Sequence, residues 1–396
     1  MKSPYPLDRQ LGLEHFITDT RGIGGRLRTL VEDFRVEELC REISENPNGE
    51  YLHFTLEKDN WETIRAIKAI ARALKVSHKR FGFAGTKDKR AITRQRISVW
   101  KVAPGDLEKL NIKGIDLCDF KRSDERISLG EAMGNRFRVT IRNIALDRKE
   151  LRETLSETAK QIKSLGMPNY FGYQRFGTVR PNTHLVGKKL VVRDLEGAVM
   201  EYLASPYEGE KKDAYEARAL LQDTKDFKKA LEVFPKRLNY ERSMLDALIK
   251  NPRDYAGALR RLPKKLRWML VHAYQGFLFN KILSKLIEKG MDIKGRGIPL
   301  FGYGSTFSEG MQGEIEKEVI EEEGISFKDF RIKSMPELSS EGLLRDASID
   351  VEPVFEIAED EVNEGMLKCA VEFSLPMGSY ATVLLREFMK SDPLNY

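Results

Sequence analysis

From residue 51 to 56 the side chains alternate: Leu52, Phe54 and Leu56 fall on one side of the chain, Tyr51, His53 and Thr55 on the other. A period of two marks a strand with one face in a core. The same period runs through 136–142, where Phe137, Val139 and Ile141 alternate with Arg136, Arg138, Thr140 and Arg142, and predicts a strand with a cationic outer face. Val371, Phe373 and Leu375 repeat it near the C-terminus, and Ile97 with Val99 marks a further strand. Between these segments the period lengthens to that of a helix. Asn60 is placed to cap a helix carrying Ile64, Ile67, Ile70 and Leu74 on one face, and Asp147 with Glu150 forms a capping box ahead of Leu151, Leu155, Ala159 and Ile162. Pro376-Met377-Gly378 reads as a turn, with Ser379 capping a helix that bears Ala381, Leu384, Leu385 and Phe388. Strands and helices are interspersed, which predicts an α+β fold around a mixed or antiparallel sheet.

From about 185 to 344 the pattern changes to long, charge-rich, helix-prone stretches such as 210–234 and 264–289, and β-alternation resumes only after about 350. A chain of 396 residues exceeds what one core usually supports. The expected organisation is a first domain begun by 1–184, a largely helical α+β insertion over 185–344, and a return of 345–396 to the first sheet.

Charge localises the chemistry. The net charge is only +6, yet 78–101 holds eight Lys or Arg against one acid, with Phe81, Phe83 and Trp100 interleaved, a composition suited to RNA. Three widely separated Cys form no metal-binding or disulfide pattern, and no apolar run approaches a membrane span, so a soluble protein of a reducing cytoplasm is expected. The five His are scattered, which favours structural roles, and Gly302-Tyr303-Gly304-Ser305 lacks the Lys and spacing of a phosphate-binding loop.

Four stretches carry candidate chemistry. In FGFAGTKDKRAITRQ (81–95) one acid, Asp88, lies among Lys87, Lys89, Arg90 and Arg94. Local chemistry leaves two readings: a solvated turn, or a carboxylate kept ionised by cations that also hold phosphates. In GMPNYFGYQRFG (166–177) four aromatics surround Asn169, Gln174 and Arg175, either a glycine-rich aromatic corner of a core or the rings, amides and cation that recognise an unstacked base. The third, FSLPMGSYAT (373–382), is explained by strand, turn and capped helix; the fourth, LVEDFRVEE (30–38), preceded by Gly24-Gly25-Arg26-Leu27-Arg28, by an edge strand with solvated acids.

Together the four stretches resemble the TruD family of tRNA pseudouridine synthases over most of the chain. The family's G-x-K-D-x-x-A-x-T-x-Q loop is similar to Gly85, Lys87, Asp88, Ala91, Thr93 and Gln95, and its P-N-Y-F-G-x-Q-R-F-G run to Pro168 through Gly177. Its E-D-F-x-V strand matches Glu32 to Val36, and its G-S-Y-A-T element Gly378 to Thr382; Arg28 stands where the family often has Lys, and Val31 where Pro is frequent. The resemblance implies a catalytic domain interrupted by an insertion, and isomerisation of uridine, typically at tRNA position 13, to its C5-glycoside. It implies Asp88 as the catalytic carboxylate, Phe171 stacking on the target base, Asn169 ordering the pocket and Arg28 pairing bidentately with Asp88. Lys87, Lys89 and Arg90, with Arg94 and Arg96, would hold phosphates, while Gln95, Gln174 and Arg175 would contact substrate. No cofactor, no metal, no membrane and no protein partner is expected; tRNA is the expected partner. The alternative is a catalytically silent RNA-binding or RNA-folding protein on the same scaffold.

Overall fold

Leu52, Phe54 and Leu56 lie fully buried on β2 (Tyr51–Asp59), where they meet Ile67 and Ile70 of the helix Thr63–Ala73 and Ile97 and Val99 of β4 (Ile92–Trp100). The computed structural model, which describes all 396 residues, arranges β1 (Phe34–Leu39), β2, β3 (Phe81–Phe83), β4, β5 (Ile115–Ser123) and β6 (Gly134–Ile144) with the strands Val354–Glu359 and Leu367–Pro376 in one mixed sheet. From one edge the order is Val354–Glu359, Leu367–Pro376, β6, β1, β4, β2, β5, and β3 pairs with β4. Only β1 with β4 runs parallel.

β1 is therefore an interior strand, not the edge that its acids suggested. Asp33, just before it, and its Glu38 are buried, each beside a cation on a neighbouring segment. Arg142 also departs from the expected outer face. Arg136 and Arg138 do face outward, but Arg142 turns inward, its Nε 2.8 Å from Asp33, Nη1 2.8 Å from Asp360 and Nη2 3.1 Å from Glu361. Burial opposes the ionisation of Asp360. The N–H of Asn143, the Asn363 amide, the N–H of Val362 and Arg142 more than offset it, and hold its pKa at about 2. An acid depressed in the folded state adds stability above the unfolded value near 3.9, and loses that contribution as pH falls toward the folded value. Asp360→Asn is accordingly expected to cost about 3 kcal/mol at neutral pH, and to flatten the loss of stability between about pH 4 and 2. Urea unfolding at several pH values measures both; a variant that tracks the wild type through the acid range would remove Asp360 from this role.

Two expected helix caps move. The helix Thr63–Ala73 is capped by Glu62, whose carboxylate accepts from the N–H groups of Ile64 and Arg65, while Asn60 occupies a left-handed turn at φ 57°. The last helix, Ala381–Met389, begins after Tyr380, not Ser379. Asp147 caps the helix Arg148–Leu165 as its spacing predicted.

The chain divides into two units: Thr18–Met167 with Ile349–Tyr396, which contains the sheet, and Met1–Ile17 with Pro168–Ser348. The second begins at 168, upstream of the expected 185, and takes in the N-terminal segment. The reason is a set of ties to the helix Lys264–Glu288: Asn280 donates to the carbonyl of Leu11 (3.0 Å), and Ser284 Oγ accepts from Glu14 N–H (2.9 Å) and donates to Gly12 O (2.7 Å). Helices dominate this unit, with a small ribbon of Gly297–Leu300 and Leu343–Asp346. No helix of the chain is long and apolar enough to cross a membrane.

Candidate active site

Four polar residues occupy core parity on four neighbouring strands: Glu38 on β1, Lys58 on β2, Gln95 on β4 and Asn135 on β6. All but Asn135 are buried, and register sets Glu38 opposite Asn135. Together they hold the loop from Ala84 to Ala91. Lys87 Nζ lies 2.7 Å from Glu38 Oε2 and donates to Asn135 Oδ1 at 2.6 Å. Gln95 donates to Gly85 O (3.0 Å) and accepts from the Thr63 hydroxyl (3.0 Å), which itself accepts from Lys87 N–H (3.0 Å). Lys58 is fully buried and donates to Trp61 O at 2.6 Å and to the backbone carbonyl of Asp88 at 2.8 Å. Burial pushes the Lys58 ammonium down to about 8, against the opposing fields of Asp88 and Glu62.

The side chain of Asp88 remains half exposed, and its Oδ2 accepts from Arg28 Nη2 at 2.6 Å. One contact joins the pair, not the expected bidentate fork. Arg28 reaches it from a strained backbone at φ 56°, a sparsely populated region for a residue with a side chain, and such strain concentrates at functional positions. Its guanidinium lies 4.1 Å over the ring of Phe34, which meets Phe137 edge-on, and Phe137 stacks on Phe373 at 5.3 Å. Asp33 shapes the approach by accepting from Leu30 N–H at 2.7 Å while bound to Arg142. A rigid aromatic stack thus supports the guanidinium, and a buried ion network fixes the turn that carries it.

The expected phosphate-binding cations separate. Lys89 and Arg90 are exposed beside Asp88, Arg90 donating to Thr29 O at 3.3 Å. Lys87 is turned inward, and its ammonium is engaged by Glu38 and Asn135. Arg94 and Arg96 lie at the opposite parity of β4; Arg94 faces Glu57 and Asp119, and Arg96 donates to Arg41 O. Gln95 is buried and braces the loop. Of the interleaved aromatics, Phe81 belongs to the core and Phe83 packs on it, while Trp100 stays exposed with Lys101 and Arg80 over its ring.

Asn169, Phe171, Gln174 and Arg175 belong to the helical unit. Phe171 is only 3% exposed; its N–H and carbonyl are both held by the side chain of Asn280, and its ring meets Phe279 edge-on. Two guanidiniums lie over that ring, Arg345 at 4.2 Å and Arg175 at 5.0 Å. Arg345 also donates to Asn169 Oδ1 at 2.6 Å, and Asn169 Nδ2 donates to Asp346 O at 2.9 Å. Gln174 is exposed. His184 sits between the rings of Phe176 and Phe277, and burial lowers its pKa to about 4, so it is a neutral packing residue at physiological pH.

Sequence reasoning did not single out Glu38, Lys58, Thr63, Asn135 or Arg345. For Glu38, Lys58 and Asn135 a signal existed: each interrupts an apolar alternation at the position due to face the core. Thr63 and Arg345 lie outside any such alternation.

A family model described as tRNA pseudouridine synthase D (TruD) matches residues 10–297 and 297–388. The chain is 41% identical over 431 aligned positions to the "Probable tRNA pseudouridine synthase D" of Methanococcoides burtonii, with 98% of each covered. To the protein of the same name from Methanopyrus kandleri it is 43% identical over 357 positions, covering 87% of this chain and 86% of that one. A crystal structure of the Methanosarcina mazei protein assigned as tRNA pseudouridine synthase D (TruD) superposes with a TM-score of 0.88 at 40% identity over 100% of both chains.

Proposed function

The chain belongs to the TruD family of tRNA pseudouridine synthases, and on that premise we propose that it isomerises a uridine of tRNA, at position 13 as in the family generally, with Asp88 as the reacting carboxylate. The observation that carries this reading is a half-exposed carboxylate, 2.6 Å from a guanidinium, on a loop whose backbone is anchored by buried polar groups. Such an arrangement keeps a carboxylate charged and oriented without covering it.

The reaction breaks the N1–C1′ bond, turns uracil and joins C5 to C1′. The proton on C5 is removed and N1 gains one, so nothing is consumed and no added cofactor is required. Asp88 serves either as nucleophile toward the sugar or as base toward it, and both roles need the anion. Arg28 orients the anion. Lys89 and Arg90, exposed beside it, take flanking phosphates, while Lys87 and Gln95 serve by holding the loop.

Asn169 and Phe171 are proposed to bind the target base, with Arg345 as their organiser. Stacking on Phe171 carries a condition: with the ring buried, Arg345 or Arg175 must move aside for a base. Gln174, exposed at the surface, is proposed to contact RNA. A tRNA-modifying role supports the expected cytoplasmic location.

Pseudouridine mapping on unmodified tRNA transcripts, incubated with the purified protein and no cofactor, tests the function. Pseudouridine at one uridine is expected, and its position names the target. Binding of tRNA with no pseudouridine in any transcript would instead support a silent RNA-binding protein.

A further inference from the structure

The segment 252–268, PRDYAGALRRLPKKLRW, carries six cations against one acid, a basic cluster apart from the loop of Asp88. Of these, Arg267 is buried against Glu337, and Arg260 shares that carboxylate at 3.4 Å. Arg253, Arg261, Lys264 and Lys265 are exposed, and none has a carboxylate within ion-pair distance. Helix stability does not explain them. The first turn of Lys264–Glu288 contains no acid, so Lys264, Lys265 and Arg267 oppose the dipole of the helix they begin. Beside them Trp268 is 37% exposed, with Lys264 Nζ 4.7 Å over its ring and its Nε1–H held by the carbonyl of Glu337, and Met269 is 44% exposed.

We infer that this face of the helical unit is an RNA-contact surface in which Arg253, Arg261, Lys264 and Lys265 take backbone phosphates and Trp268 stacks on an unpaired base. Exposed cations without ion-pair partners, one of them over an exposed ring whose Nε1–H is held, are what a single-stranded or looped RNA segment requires. The inference rests on the RNA-modifying function proposed above and adds a surface outside the site of Asp88, whose purpose is affinity and not chemistry. The surface binds by charge and stacking, so it discriminates little between sequences.

The test compares the full-length wild type with Arg261→Gln/Lys264→Gln/Lys265→Gln and with Lys265→Glu alone; the residues are exposed and make no ion pair, so the variants are expected to fold, which circular dichroism checks. Binding of an unmodified tRNA transcript is measured across a salt series. The triple variant is expected to bind about tenfold more weakly near 0.15 M salt, and its log–log salt slope to be shallower by about two to three. Lys265→Glu shifts both in the same direction. The single-turnover rate at saturating RNA stays at the wild-type value. Unchanged affinity and slope would overturn the inference. So would wild-type protein that binds phosphatidylserine vesicles and not RNA. Absence of pseudouridine in the same samples bears on the catalytic assignment alone, since affinity and slope are read without turnover.

Discussion

Replacing Asp88 by Asn is expected to abolish pseudouridine formation, by at least about 10⁴-fold as for other reacting side chains, while the affinity for tRNA stays within a few-fold of wild type. The substitution keeps size and removes only the charge. The Asp88 side chain is half exposed, and its ion pair with Arg28 is partly solvated, so the pair adds no more than about 1 kcal/mol to folding and the variant remains folded. Its effect on binding has a sign. Loss of a negative charge beside Lys89, Arg90 and a now unpaired Arg28 makes the loop more attractive to phosphate, so affinity holds or rises slightly. Retained turnover by Asp88→Asn would sink the assignment of the reacting group; a fall in tRNA binding as large as the fall in rate would make Asp88 a binding residue instead.

Lys58→Met is expected to be the most damaging change at a residue that never meets substrate. The ammonium bonds the backbone carbonyl of Asp88 and that of Trp61, and no apolar side chain replaces those bonds. Two carbonyls are left without a partner at roughly 1–3 kcal/mol each, yet a buried charge is also removed, so net stability changes little. The rate suffers more, on the order of 10²-fold, because the loop that aims Asp88 is loosened, and kcat falls while tRNA affinity is kept.

A pH profile separates this role from simple packing. Burial depresses the folded pKa of Lys58 to about 8, below the value near 10.4 of an unfolded lysine. Between those values the unfolded chain binds more protons, so this group makes folding stability rise with pH across the window. The rate moves the other way, since above about pH 8 two charge-assisted bonds to the loop become weaker neutral ones. Wild type is therefore expected to become more stable and slower as pH rises from 8, and Lys58→Met to lose both trends. A rate limb above pH 8 that persists in Lys58→Met would assign the titration to another group.

The alternation on β2 and β6 was legible because burial on one face imposes a period of two, whatever the fold around it. The same rule concealed the site. Lys58 and Gln95 fall at core parity, where a polar residue reads as the end of a pattern; only pairing of β2 with β4 shows that both face the same loop. Asp88 stood out through its charged neighbours, but those neighbours do not act alike, because residue parity sends Lys87 inward and Arg94 and Arg96 to the other side of the sheet. The acids of Glu32 to Glu38 suggested a solvated edge, since a one-dimensional pattern does not reveal that Arg142, more than 100 residues later, is buried against Asp33. The caps at Asn60 and Ser379 were misplaced by one or two positions, since several residues near a helix start can serve and the backbone decides among them.

The ties of Leu11, Gly12 and Glu14 to Asn280 and Ser284 set an order of events on the ribosome. The segment made first has its partners only when residue 284 has emerged, on the order of tens of seconds later at ordinary rates of synthesis. β6 waits as well: until Leu367–Pro376 is made, the strand bearing Phe137, Val139 and Ile141 is an open edge of the sheet. Both units thus complete only after most of the chain is made, and β6, paired with β1 on one side, stands as an open sheet edge for much of synthesis.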